Sequence, residues 1–188
     1  DRFIFGWEMP ASMTQFFNPF FIILFGSIFS VMWVKLSKIG KNPSIPLKFC
    51  FGIVQLALGF LLTQVGFQFV NEAYQVPLIT LVFLYMLHTT GELFLSPIGL
   101  SMVTKLSPKS MAGTAMGAWF LSFAIANYVG GKIASLTGGH GGGEATSAES
   151  GLLQYLDTFA TIGYVLLTIA AIIFILNKPI QKLMHGVE

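Results

Sequence analysis

Glu92 is the only charged residue between Val76 and Thr104, and it stands in the stretch Gly91-Glu92-Leu93-Phe94-Leu95-Ser96-Pro97. A charge near the middle of a bilayer costs roughly 2.5–3.5 kcal/mol on insertion scales, and more by other measures. A sequence keeps such a residue where something offsets that cost. An intramembrane carboxylate is therefore a candidate for holding a cation or carrying a proton. His88 lies one helical turn earlier on the same face. A carboxyl and an imidazole so spaced can share a proton; the structural alternative is a histidine satisfied by a neighbour's carbonyl. Ser96, four residues after Glu92, shares that face and can hydrogen-bond a ligand or its own helix. One His and one Glu are too few ligands for a metal, and no other intramembrane residue adds one. No cofactor or metal is expected.

These residues must be positioned by membrane helices. Hydrophobic residues make up 54% of the 188 and charged residues 10%, well below the roughly 25% of a soluble domain. Five segments approach or exceed the about 20 apolar residues that cross the hydrocarbon core. They run over residues 10–34, 49–71, 76–104, 111–135 and 152–176. All are expected to be helices, since a spanning segment must satisfy its own backbone groups. The predicted class is an all-α membrane protein with five transmembrane helices in one unit, residues 1–188. The lone Cys50 excludes a disulfide framework.

Charge sets an orientation. Lys35, Lys38, Lys41, Lys48, Lys105, Lys109, Lys178 and Lys182 are eight of the ten basic residues, and all fall on one side. The positive-inside rule makes that side cytoplasmic, with the C-terminus inside. The charge pattern gives no reason to expect nucleic acid. Five spans beginning outside, from Asp1, read as a piece of a larger bundle. Residues 137–150, rich in glycine, read as a flexible external loop. A phosphate loop is not indicated, because no strand precedes the glycines and no Gly-Lys-Ser/Thr follows.

Depth brings in two more residues. Glu92 lies about 20 Å of helix from Lys105 and about 24 Å from Val76, near mid-span. Trp119 is about 15 Å in from Lys109, too deep for an interfacial belt. Asn18 is about 25 Å from Lys35; alone it could equally be helix–helix glue. Asn18-Pro19 and Ser96-Pro97 can each break a helix and free backbone groups toward a cavity. Transporter sites form near the midplane at such breaks.

Three stretches resemble the proton-dependent oligopeptide transporter family. Pro10-Ala11-Ser12-Met13-Thr14-Gln15-Phe16-Phe17-Asn18-Pro19 is similar to the start of that family's eighth helix. Gly91-Glu92-Leu93-Phe94-Leu95-Ser96-Pro97-Ile98-Gly99-Leu100-Ser101 is similar to its tenth helix, and Met116-Gly117-Ala118-Trp119-Phe120-Leu121 to its eleventh. The resemblance implies helices eight to twelve of a major facilitator fold, within the C-terminal six-helix bundle. It implies that the N-terminal bundle of the same polypeptide and its Glu-x-x-Glu-Arg-Phe signature lie outside this chain.

The resemblance also implies roles. Glu92 matches the glutamate that meets the peptide's amino group and helps close the inner gate. Asn18 matches an asparagine near the amino end of the ligand, with Gln15 a cavity neighbour and Ser96 lining the same site. Trp119 matches a tryptophan of a side-chain pocket. Phe123 stands where some members have serine. The implied activity is import of di- and tripeptides with protons across the bacterial inner membrane, a multi-pass cell-membrane location. Glu92 carries the proton coupling, with His88 beside it. The alternatives are another small solute on the same scaffold, such as nitrate, or a membrane module that transports nothing. An anion would meet Glu92 unfavourably. An enzyme is not expected: no nucleophile–base pair, metal triad or phosphate loop is present.

Overall fold

The computed structural model describes residues 3–4, 7–137, 147–185 and 187. Five long helices carry the fold: α1 (Phe17–Lys38), α2 (Ile45–Phe67), α3 (Leu78–Leu106), α4 (Ala112–Thr137) and α5 (Ala148–Leu183). A two-residue antiparallel ladder, β1 (Phe3–Ile4) with β2 (Trp7–Glu8), precedes them. It is the one exception to an all-helical architecture among the described residues. The loop expected over 137–150 falls mostly on residues 138–146, outside the described residues; Ala148 onward is already helix.

Local chemistry sets the helix ends. Pro46 occupies the first turn of α2, where its missing N–H costs nothing. Pro77 and Pro108 stand just before helical turns, in extended conformation. Ser147 caps α5 by accepting from the Ser150 N–H, and the Ser150 hydroxyl reciprocates at the Ser147 N–H. Gly40, at φ +66°, reverses the chain after α1.

Several boundaries differ from the sequence expectation. Residues 11–16 form a 3₁₀ segment, and regular α-helix starts only at Phe17. Helix α5 runs to Leu183, past the apolar stretch, through Pro179. Apolar runs mark the hydrocarbon crossing, not the helix, and a capped helix continues into water. Four helices are long and apolar enough to span, counting the 3₁₀ segment with α1; α4 is not among them. Its 26 residues suffice in length, but Gly113, Gly117, Ser122, Asn127, Gly130, Gly131 and Lys132 dilute its apolar character.

Helix α2 is the centre of the array. It packs on α3 along one side and on α5 along the other, while α1 packs on α3. The α2–α3 contact is written in the sequence as a glycine every seventh residue: Gly52, Gly59 and Gly66. A Cβ at Gly52 would stand 2.9 Å from the Gly91 carbonyl oxygen, and one at Gly66 2.5 Å from Thr80. Backbones that close are the usual device of membrane helices, which lack a hydrophobic drive to associate. Against α5, Ala57 is wholly enclosed and its carbonyl lies near Gly163. The Cys50 thiol donates to the Ala170 carbonyl at 3.4 Å. Helix α4 touches α3 and α5 only lightly, and Phe120, Leu121, Ile125 and Tyr128 on it are exposed.

Lys48 departs from its expected place in a cytoplasmic loop. It belongs to α2, is buried, and its ammonium sits 4.8 Å from the centre of the Trp33 ring. The cation–π attraction and the apolar stem make burial tolerable. Trp33 in turn meets Phe94 edge-on at 5.4 Å, and Phe29 meets the same ring at 5.0 Å. This cluster ties the C-terminal half of α1 to α3, two residues beyond Glu92.

Candidate functional site

A cavity of about 350 Å³ opens where α1, α2, α3 and α4 converge. Its lining is Asn18, Leu56, Tyr85, His88, Thr89, Glu92, Leu95, Ser96 and Phe123. Four of the six residues singled out from sequence therefore meet in one space: Glu92, Asn18, Ser96 and His88. Gln15 and Trp119 are not in the lining.

Helix α3 supplies most of the wall, and the reason is its period. Tyr85, Thr89, Glu92 and Ser96 follow one another at spacings of four, three and four, a single helical face. The opposite side of that turn, at Gly91, is pressed onto α2: a Cβ there would stand 2.8 Å from the Gly52 carbonyl oxygen. The close crossing turns Glu92 away from α2 and leaves its side chain exposed. Among the described residues Glu92 has no hydrogen-bond or ion-pair partner. Pro97, inside α3, lacks the N–H that would bond the Leu93 carbonyl, so the helix offers a backbone acceptor one turn from Ser96.

Helix α1 brings Asn18 within its first turn, followed by Pro19. Proline is tolerated at a helix start, so here Asn18-Pro19 marks the 3₁₀-to-α transition rather than a mid-helix break. Phe17 packs on Tyr85 at 6.0 Å, and the Thr89 hydroxyl donates to Asn18 Oδ1 at 3.5 Å. Gln15 is exposed in the 3₁₀ segment, one turn before Asn18.

His88 leans toward α2. Its ring fills the space a Cβ on Gly59 would need, 2.4 Å from its nearest ring atom. Its centre is 4.5 Å from that of Phe60. Its Nε2 is buried with no partner among the described residues. Trp119 covers Gly99 of α3, its indole 2.3 Å from a Cβ built there, and meets Phe123 at 6.1 Å. Phe123, not Trp119, closes the cavity on the α4 side.

Sequence reasoning passed over Thr89, Tyr85 and Leu56. Thr89 and Tyr85 were findable, because they continue the Glu92–Ser96 face at helical spacing. Leu56 had no such signal, since an apolar residue on a buried helix looks like any other.

The sequence matches the family model of the POT family over residues 1–145. The chain belongs to the POT family. It is 36% identical to "Peptide transporter YePEPT" of Yersinia enterocolitica, over 100% of this chain and 35% of that protein. It is 33% identical to "Dipeptide and tripeptide permease A" of Edwardsiella piscicida, over 99% of this chain and 37% of that one. Among solved structures, a crystal structure of the peptide transporter POT in complex with sulfate superposes with a TM-score of 0.82 at 32% identity. It covers 99% of this chain and 35% of that one. The chain thus spans about a third of the length of these relatives. As a POT-family chain it belongs to a family of membrane transporters and not of enzymes.

In this POT-family chain the Trp119–Gly99 contact yields a direct prediction. Gly99→Ala places a methyl where the indole lies, and the ring edge must swing aside. Expected is a shift in the emission of Trp119, read in a background lacking Trp7 and Trp33, with little loss of helix. An unchanged spectrum would show that the indole does not rest on α3.

Proposed function

We propose that this chain is the C-terminal part of a proton-coupled importer of di- and tripeptides that works by alternating access. One observation carries the reading. A single carboxylate, Glu92, shares a 350 Å³ cavity with an amide, Asn18, and a hydroxyl, Ser96, on two different helices. A peptide's amino end presents an ammonium with a carbonyl oxygen two bonds from the carbon that bears it. A carboxylate attracts the first strongly in a space sheltered from water, and an amide can serve either group. Leu56, Tyr85, Leu95 and Phe123 make much of the rest of the lining aromatic or apolar, which suits side chains of many kinds.

In this reading Glu92 alternates between pairing with a cation and a protonated, neutral state, which couples proton and peptide. His88 is the neighbour through which the proton can be shared. Gln15 and Trp119 stand at the two margins of the site, the first toward the outer end of α1 and the second behind Phe123. The N-terminal bundle of the same polypeptide completes the cavity and supplies a cationic partner for the peptide carboxylate. The end of α4 and the start of α5 lie on the external side, and the basic ends of α1, α3 and α5 face the cytoplasm, as does the C-terminus, in the bacterial inner membrane. The names of the relatives, a peptide transporter and a dipeptide and tripeptide permease, support the substrate class.

The test is uptake by the full-length protein in proteoliposomes. A labelled dipeptide is expected to accumulate several-fold faster with an inward proton gradient than without one. Uptake of nitrate but not of dipeptide would move the substrate to the anion alternative. No uptake of either by folded protein would favour a non-transporting module.

A further inference from the structure

One end of the helix array carries positive charge with nothing to balance it. Residues 34–49, 103–113 and 175–185 hold eight lysines and no aspartate or glutamate. Lys48 is buried on Trp33, and the others are exposed. Packing groups three of them. Ser44, at the N-cap of α2, makes no capping hydrogen bond with its side chain. Its hydroxyl is hydrogen-bonded instead to the side-chain amide of Asn177 on α5, at 2.6 Å, and both residues are half-buried. Lys41 lies three residues before Ser44, and Lys178 is next to Asn177. Lys182 is one turn further along the same face of α5 as Lys178. None of these three lysines has an ion-pair partner among the described residues.

Depth decides what these lysines meet. The apolar run of α5 closes at Leu176, two residues before Lys178, while the helix continues to Leu183. Ile175 and Leu183, each 75% exposed, present apolar surface on either side of Lys178 and Lys182. Lysines at that level stand among lipid headgroups, with their stems along the acyl chains. A zwitterionic headgroup brings an ammonium of its own, which the lysines repel. An anionic one brings phosphate oxygens without that cation. We propose that Lys41, Lys178 and Lys182 form a seat for the phosphate of an anionic phospholipid, held in shape by the Ser44–Asn177 bond. The bond fixes the turn between α1 and α2 against α5, so the lysines of two elements converge on one anion rather than each meeting the bilayer alone. The acyl chains of that lipid lie along α5 beside Ile175. The seat is apart from the cavity that holds Glu92, and it does not depend on which solute that cavity takes.

The experiment uses the full-length protein in nanodiscs of phosphatidylcholine with a minor share of phosphatidylglycerol. Lipids that stay with the protein are counted by native mass spectrometry. Wild type should retain phosphatidylglycerol several-fold above its share of the bilayer. A lysine near anionic lipid contributes about fivefold in affinity, so Lys41→Gln combined with Lys178→Gln should weaken binding about 25-fold and bring retention down to the bulk share. Lys35→Gln combined with Lys109→Gln removes the same charge from the same end of the array and should leave retention within about twofold of wild type. Ser44→Ala removes no charge but frees the turn from α5, and it should lower retention, with Ser44→Thr restoring it. Equal losses in the two lysine pairs would reduce the seat to general surface charge and overturn the proposal. So would unchanged retention in Ser44→Ala, or wild-type retention no higher than the bulk share. Loss of the lipid to inorganic phosphate, but not to chloride at matched ionic strength, would make free phosphate the ligand and overturn the lipid assignment.

Discussion

Glu92→Gln in the full-length protein is expected to remove gradient-stimulated dipeptide uptake while leaving the folded protein as stable as wild type. Both halves follow from the surroundings of the side chain. Glu92 is exposed in this chain, and among the described residues nothing is bonded to it. Its contacts within the described residues therefore do not depend on its charge, and an isosteric amide leaves them as they were. Removing one partner of a desolvated ion pair costs about 3–5 kcal/mol, which is a hundredfold or more in half-saturating peptide. The amide also cannot take up or release a proton, so any uptake that survives should no longer respond to the gradient. The measurement is the pair of initial rates, with and without an inward gradient, beside a thermal unfolding midpoint. Gradient stimulation that survives in Glu92→Gln would remove Glu92 from the coupling. A lowered midpoint at retained stimulation would instead make it a structural carboxylate.

The same two readouts separate the readings of the other polar residues. A residue that only glues helices should lower the midpoint when made apolar. A residue that meets the ligand should raise half-saturation at an unchanged midpoint. Asn18 and Thr89 are the instructive pair, because a bond between α1 and α3 joins them. Asn18 was open to either reading from sequence alone. In the structure it is both 3.5 Å from the Thr89 hydroxyl on α3 and part of the cavity lining, so both readouts are needed for it.

What could be read from the sequence was what energy in a bilayer fixes strongly. A charge at depth is so costly that Glu92 stood out with no structure at all, and its helical face drew in His88 and Ser96. The positions of the helices followed from apolar length. Tertiary approach was less legible. Trp119 is at the right depth but lies on Gly99, behind Phe123, because the side chain follows the small residue opposite it. Nothing in the local sequence of α4 reports where a glycine on α3 will fall. His88 shares a face with Glu92 by spacing, yet its ring fills the gap left by Gly59 on α2. Lys48 reads as a loop charge by composition; the ring of Trp33, fifteen residues earlier, makes its burial possible. Proline positions misled in one respect. Asn18-Pro19 resembles a break within a span, whereas the helix begins there.

Gly91→Ala should destabilise the helix array, whereas Gly26→Ala should not. Helix propensity alone favours alanine over glycine by about 1 kcal/mol at either position. At Gly26 a Cβ meets nothing within 4 Å, so that gain stands and the thermal midpoint should hold or rise slightly. At Gly91 a Cβ would be 2.8 Å from the Gly52 carbonyl oxygen, 3.3 Å from Leu56 Cγ and 3.4 Å from Gln55 Cβ. The nearest of these is backbone and cannot rotate aside. Helices α2 and α3 must move apart by several tenths of an ångström along a seam that also packs Gly59 and Gly66. Overpacking of this kind costs about 1–3 kcal/mol and so outweighs the propensity gain. Gly91→Leu adds a larger side chain at the same backbone contact and should yield little folded protein. The functional effect exceeds the stability effect, because Gly91 is the point on which Glu92 is aimed. Moving α3 off α2 shifts the carboxylate relative to Asn18 on α1, and dipeptide half-saturation should rise in Gly91→Ala protein that is still folded. If Gly91→Ala instead behaves like Gly26→Ala in both midpoint and uptake, α2 and α3 do not cross at backbone contact. The glycine seam would then have no part in aiming Glu92.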